Sequence, residues 1–155
     1  MIEVEKQVMV TIFAPENVLM SAVLYQGRKR VDKTFTFVQR KAERYEIHAV
    51  FKKTGDYLLR LFAKDAPTSD YLPALDYEVK ASQGMPGNVG FPKATALFKE
   101  NNGYLDIPKN RYLTANSTQT FKLAMPNAEK VAVIVGDQWF HLQKQRRIFY
   151  RRCEN

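Results

Sequence analysis

Nucleophilic catalysis by a thiol needs Cys, His and an orienting Asp or Asn held within hydrogen-bond reach. The chain has one cysteine, Cys153, and two histidines, His48 and His141. Cys153 stands third from the C-terminus beside Arg151 and Arg152. Those arginines favour a thiolate, but a chain end holds attack geometry poorly. His48 shares a strand face with Arg44 and Glu46 and reads as a solvated surface histidine. His141 follows Trp139 by two positions, so the two rings share a face. One terminal thiol and two distant imidazoles do not make a metal site. The carboxylates are scattered over strand faces and turns, with no pair that spacing brings together for acid/base work. Gly84, Gly87 and Gly90 lack the spacing, the following Lys-Ser/Thr and the helix of a phosphate loop. Catalytic, cofactor-binding and metal-ligating residues are therefore expected to be absent. What remains is charge: Lys144, Arg146, Arg147, Arg151 and Arg152 form a candidate contact for an anion or a partner.

Such a run acts only where elements hold it, and the composition says which elements. Aromatic residues make up 12% and β-branched residues are frequent, while Ala-rich amphipathic runs are absent, so an all-β class is expected. The formal net charge is +8. Residues 1–82 carry 13 basic and 11 acidic side chains, and residues 83–155 carry 11 and 5. The excess therefore lies in the second half. A basic balance is compatible with nucleic acid or anionic lipid, with exposed aromatics such as Trp139, Phe149 and Tyr150 as stacking platforms. Most aromatics, however, fall at alternating positions that belong to a core. A lone cysteine rules out an intrachain disulfide. The N-terminal residues lack an apolar signal core, and no stretch approaches the ~20 apolar residues of a membrane span. A cytoplasmic location is the expectation, and Asn116-Ser117-Thr118 is a chance glycosylation triplet.

The clearest element is Gly55 to Ala63. Tyr57, Leu59, Leu61 and Ala63 fall on one face, and Leu58 and Phe62 on the other with Arg60 between them. A Gly two residues before the Tyr permits a sharp turn into the strand. The Tyr hydroxyl can bond back to nearby backbone, the tyrosine corner that opens strand F of an immunoglobulin-like sandwich. Around it the sequence predicts a central strand Val8–Phe13, apolar on both faces and ended by Pro15. Further strands are Leu19–Tyr25, a short one at Phe35 and Phe37, Tyr45–Phe51, and Leu75–Val79, with Asp65–Asp70 a loop. The predicted core is Val10, Ile12, Val23, Phe37, Ile47, Tyr57, Leu59 and Leu61. Residues 1–82 thus form one sandwich, and the Gly/Pro stretch 83–92 reads as a linker.

Residues 93–155 appear as a second, partial immunoglobulin-like unit, making the fold two tandem antiparallel sandwiches. Tyr104–Pro108 is an edge-like segment. The strand Gln119–Met125 closes on Pro126 as Val8–Ala14 closes on Pro15, and an apolar strand Val131–Val135 follows as Leu19–Tyr25 does. Counted on the same register, a second tyrosine corner would fall at position 168, beyond the 155 residues. The unit is expected to lack its last strands. The Val131 strand, apolar on both sides, is expected to be covered by the first unit folding back, by missing strands of a longer protein, or by a second copy, with self-association through strand exchange the favoured route.

Four segments together resemble the β-sandwich modules of the kyphoscoliosis-peptidase (KY) group of transglutaminase-like proteins. They are Phe51–Ala63; Tyr71–Val79 with the stretch to Phe91-Pro92; Leu105-Asp106-Ile107-Pro108 with Leu113; and Phe121–Ala128 with the Val131 strand and Trp139. In that family a papain-like domain carries Cys, His and Asp in chain order, and immunoglobulin-like modules follow it. Here no thiol precedes either histidine, so no catalytic residue carries over. The resemblance implies a non-enzymatic accessory module that needs no cofactor. It also implies a protein partner, either a neighbouring transglutaminase-like domain or a cytoskeletal protein of filamin type. The expected mode is pairing at an exposed strand edge; the alternative is a basic β domain binding nucleic acid or anionic lipid.

Overall fold

The structure is a computed structural model and describes residues 1–154. Contacts divide the chain into two units, Met1–Phe91 and the part from Pro92 on. The first holds eight strands: β1 (Ile2–Val4), β2 (Gln7–Phe13), β3 (Leu19–Gln26), β4 (Lys29–Arg30), β5 (Thr36–Lys41), β6 (Arg44–Val50), β7 (Gly55–Lys64) and β8 (Leu72–Ala81). One sheet runs β1-β8-β7-β3-β4 and the other β2-β6-β5. Every pairing is antiparallel except β1 with β8, which is parallel. This is an immunoglobulin-like arrangement, with β7 as the strand that follows the tyrosine corner.

The corner is in place. Tyr57 donates its hydroxyl hydrogen to the Lys53 carbonyl oxygen at 2.7 Å, and its ring lies 4.7 Å from that of Phe51. Gly55 precedes it with φ +142°, and a Cβ there would meet the Gln26 amide nitrogen at 2.8 Å. A larger residue would therefore be strained and crowded. Beyond the corner, Tyr57, Leu59 and Leu61 enter the core beside Ile47, Ala49, Tyr45, Met20, Leu24 and Val79. Ile47, Leu59 and Leu61 are wholly buried, each contributing about 1.5–3 kcal/mol of transfer free energy.

Three sequence expectations are corrected here. β2 is not central: it is an edge strand that pairs only with β6, and Met9 and Phe13 on its outer face are exposed. β3 packs with Met20, Ala22 and Leu24 inward rather than Val23. Both its faces are apolar, and a one-residue change of phase exchanges them. Phe37 is buried but lies opposite His48, on the outer face of the three-stranded sheet, while Val38 packs on the core. Phe35 belongs to a 3-10 turn, Lys33–Phe35, capped by Asp32. β1 escaped the sequence reading altogether, because three residues carry no periodicity and its pairing is set by β8.

The stretch expected to be a linker lies against the first unit. Gly84 donates to the Glu5 carbonyl, Met85 to Phe51 and Phe91 to Thr34. Gly84 has φ +77°, and a Cβ would meet the Lys52 carbonyl oxygen at 2.8 Å. This close approach of two backbones explains the glycine.

The second unit begins with a short helix that the sequence reading lacked, α1 (Ala96–Glu100), capped by Thr95. Six strands follow: β9 (Tyr104–Ile107), β10 (Thr118–Ala124), β11 (Ala132–Val135), β12 (Gln138–His141), β13 (Gln143–Gln145) and β14 (Ile148–Glu154). They form a four-stranded sheet, β13-β14-β10-β9, and a two-stranded sheet, β11-β12. The fold is thus all-β, built of largely antiparallel sheets in both units. Among the described residues the second unit buries three apolar side chains, Leu142, Phe149 and Cys153, against fourteen in the first.

Candidate binding surfaces

Cys153 is buried on β14 opposite Gln119. Among the described residues no cluster of His, Cys, Asp and Glu could hold a metal ion. No helix among them is long and apolar enough to cross a membrane.

His48 is not the solvated residue the sequence implied. It is largely covered, with its ring 6.2 Å from that of Phe37 and 5.9 Å from that of Phe91. Its Nε2 lies 3.4 Å from Glu46 Oε1, and Gln39 donates to the same oxygen at 3.3 Å. Arg44 completes the group at 3.5 Å from Glu46 Oε2. Alternation on β6 put these residues on one face. It did not show that Phe91, brought back by residues 83–91, would stack on Phe37 at 5.7 Å with 22° between the rings. The cluster fastens the end of the first unit to its outer face and offers no open cavity.

The basic run does not form one patch. β13 and β14 make a tight hairpin whose turn is Arg146-Arg147, with Arg146 at φ +60°. Lys144 donates to the Ala128 carbonyl at 3.1 Å and lies 5.5 Å from the Phe149 ring. Along β14 the period of two then divides the rest. Phe149 and Cys153 are buried and Arg151 shares their face, whereas Tyr150 and Arg152 are exposed. Of the aromatics named as stacking platforms, Phe149 is therefore in the core, and Trp139 and Tyr150 remain outside.

A second basic feature was missed. A depression of about 250 Å³ in the first unit is bordered by Lys29, Arg30, Lys52 and Lys53, with Phe35, Val50 and Tyr57 at its base. Asp32 is the one carboxylate in its wall, and its Oδ1 accepts from the Thr34 N–H at 2.8 Å. These cations come from β4 and from the Lys52-Lys53 segment before β7, which sequence spacing does not connect.

Every sheet has open edges among the described residues, and two of them, on β8 and β11, bear on partner binding. β1 covers β8 only from Val79 to Ala81, which leaves the Leu72–Glu78 side without a strand. Leu72 and Leu75 are exposed there, and Pro73 blunts the edge by removing an N–H. On the face of the same sheet Arg60 grips Asp76 with both arms, at 2.8 and 3.0 Å, and holds its carboxyl below the usual range.

The other edge belongs to β11, which pairs with β12 alone. Ile134 opposes Trp139, and Ala132 opposes His141, whose ring lies 6.1 Å from the indole. Ile134, Val135 and Trp139 are 52%, 54% and 62% exposed. Val133 and Phe140 make the other, half-buried face. From Val131 to Gln143 the only charged side chain is Asp137, so nothing of the Lys or Pro kind protects this edge.

Comparison with known families gives one match. The family model described as KY-like, immunoglobulin-like domain covers residues 1–93. No curated protein matches the chain.

Proposed function

The chain belongs to the KY-like immunoglobulin-like domain family, and we propose that it is a non-enzymatic interaction module that binds a protein partner through an open strand edge. The observation that carries this reading is the pairing pattern: β8 and β11 each have a side without a strand, with apolar side chains exposed beside it. Free N–H and C=O groups on an edge give affinity through main-chain hydrogen bonds, and alternate side chains give selectivity. The proposed setting is an accessory role beside a KY-type transglutaminase-like domain in the cytoplasm, with cytoskeletal proteins as the wider partner class. Strand exchange between two copies is the homotypic form of the same pairing. A non-enzymatic role is supported by Cys153, which is free and buried in β14.

The test is titration of the chain with a KY-type transglutaminase-like domain, followed by calorimetry. Binding is expected, and it should weaken when Leu75→Lys or Ile134→Lys places a charge at one open edge. Binding indifferent to both substitutions overturns the edge reading. Turnover of an amide or ester that disappears in Cys153→Ala overturns the non-enzymatic one.

The depression ringed by Lys29, Arg30, Lys52 and Lys53 supports a second reading, a basic surface for nucleic acid or anionic lipid. Its mark would be affinity that falls steeply with salt and is lost in Lys52→Glu.

A further inference from the structure

The depression in the first unit is framed by two pairs of adjacent cations. Lys29 and Arg30 form β4, which pairs with Gln26 and Tyr25 of β3. Just beyond them the Val31 N–H donates to the Leu24 carbonyl at 2.9 Å. Lys52 and Lys53 lie between β6 and β7, and their backbone is held from two sides. The Tyr57 hydroxyl donates to the Lys53 carbonyl at 2.7 Å. From the other side Gly84 approaches so closely that a Cβ there would meet the Lys52 carbonyl oxygen at 2.8 Å. The next residue, Met85, donates its N–H to the Phe51 carbonyl at 2.7 Å. Both pairs of cations therefore stand on fixed backbone, while all four residues are exposed.

Four like charges round one cavity repel one another, and an anion placed among them relieves that repulsion. Among the described residues none of the four takes part in an ion pair. The single carboxylate in the wall, that of Asp32, is engaged with the Thr34 N–H. The floor has a different character, made by Val31, Phe35, Val50 and the Tyr57 ring. A volume of about 250 Å³ falls short of the ~300 Å³ at which pockets for drug-sized ligands begin, so the cavity has room for one side chain rather than a cofactor. The rim thus calls for concentrated negative charge, and the floor for a small apolar body beneath it.

We infer that this depression is a binding site for a phosphotyrosine side chain of a partner protein. The inference goes beyond the strand-edge reading and does not rest on it. Charge sets the first half of the choice. A phosphate monoester brings about −1.5 to −2 of charge on three oxygens near neutral pH. Lysine and arginine from the two sides can each give a charge-assisted hydrogen bond to a separate oxygen. A carboxylate side chain brings one charge and leaves most of the rim uncompensated. The floor sets the second half. A phenyl ring covers Phe35 and Val50, whereas the single methylene of phosphoserine covers little apolar surface. Nucleic acid spreads its charge along a backbone and draws affinity from many phosphates and from exposed stacking rings. Here four cations border one compact cavity, and the Tyr57 ring in its floor is buried. A second copy, at net +8, is repelled by the same rim.

The probe is a blocked peptide of glycines with phosphotyrosine, phosphoserine or tyrosine at its centre, titrated into the full chain and followed by amide chemical shifts. The phosphotyrosine form should shift the amides of Arg30, Val31, Lys52 and Lys53, and the tyrosine form should leave them in place. The phosphotyrosine form should also bind about tenfold tighter than the phosphoserine form, the weight of one partly buried ring. Arg30→Gln and Lys52→Gln, both at exposed positions, should each weaken it about tenfold while the rest of the spectrum keeps its dispersion. Four results overturn the proposal. They are no shift around the depression; equal affinity for the two phosphorylated forms, which leaves a general anion site; an affinity unchanged in both variants; or displacement of the phosphotyrosine peptide by an equal concentration of oligothymidylate or of phosphatidylserine vesicles, which assigns the cavity to nucleic acid or lipid. Titration with the transglutaminase-like domain, read through Leu75→Lys and Ile134→Lys, reports on the strand edges separately, so either proposal can fail alone.

Discussion

Replacing Tyr57 by Phe isolates one hydrogen bond. The ring contact with Phe51 at 4.7 Å is kept, and only the 2.7 Å bond to the Lys53 carbonyl is lost. Had that carbonyl been sealed from water, the loss would approach the desolvation cost of a buried acceptor, up to about 3 kcal/mol. Lys53 is an exposed residue, so water can replace the phenol and the cost falls to about 1–2 kcal/mol. Tyr57→Ala empties the corner and should cost about 3–5 kcal/mol. Amide exchange along β7 should register the change, with rates about five- to thirtyfold higher in Tyr57→Phe. Burial also pushes the Tyr57 phenol above its usual pKa of 10.0. A raised value means the folded state holds the proton longer, so this contribution is complete below about pH 10 and is lost as pH rises past it. The alkaline component should be missing in Tyr57→Phe. Unchanged β7 exchange, or equal costs for Phe and Ala, would refute the corner as a stabilising bond.

Tyr45→Phe should cost more than Tyr57→Phe in the same exchange measurement, since the Tyr45 hydroxyl both donates to the Val18 carbonyl at 2.7 Å and accepts from Arg40 at 3.0 Å. Arg60→Leu should return the Asp76 carboxyl to its ordinary range, read by NMR titration. Because the folded value is depressed by the Arg60 hydrogen bond, that stabilisation is present above the model-peptide value near 3.8 and lost as pH falls below it. Phe91→Ala should remove the stack on Phe37 at a cost of about 2–3 kcal/mol, below a full core deletion because the segment can shift, and should unprotect the Phe91 amide bonded to Thr34.

How much of this could be read from the sequence varied with the signal each residue gives. The Tyr57 strand was legible because its faces differ and a glycine with a positive φ announces the turn. β3 was legible as a strand but not in phase, since Met20, Ala22 and Leu24 compete with Leu19, Val23 and Tyr25 on equal terms. The parallel pairing of β1 and the return of Phe91 onto Phe37 are long-range contacts with no local pattern. Arg151 was hidden in plain view. Counted within a run of cations it reads as surface charge. Its alternation with Phe149 and Cys153, the only apolar neighbours of its parity, was the available sign that it faces inward.

The central claim, that β11 is an open edge waiting for a strand, is tested most directly by amide exchange on the free chain at a dilution where light scattering shows a monomer. The account predicts weak protection at Ala132–Val135 and strong protection along β3 from Leu19 to Tyr25. Strong protection of Ala132–Val135 in the dilute monomer would mean that the edge is already closed and would contradict it.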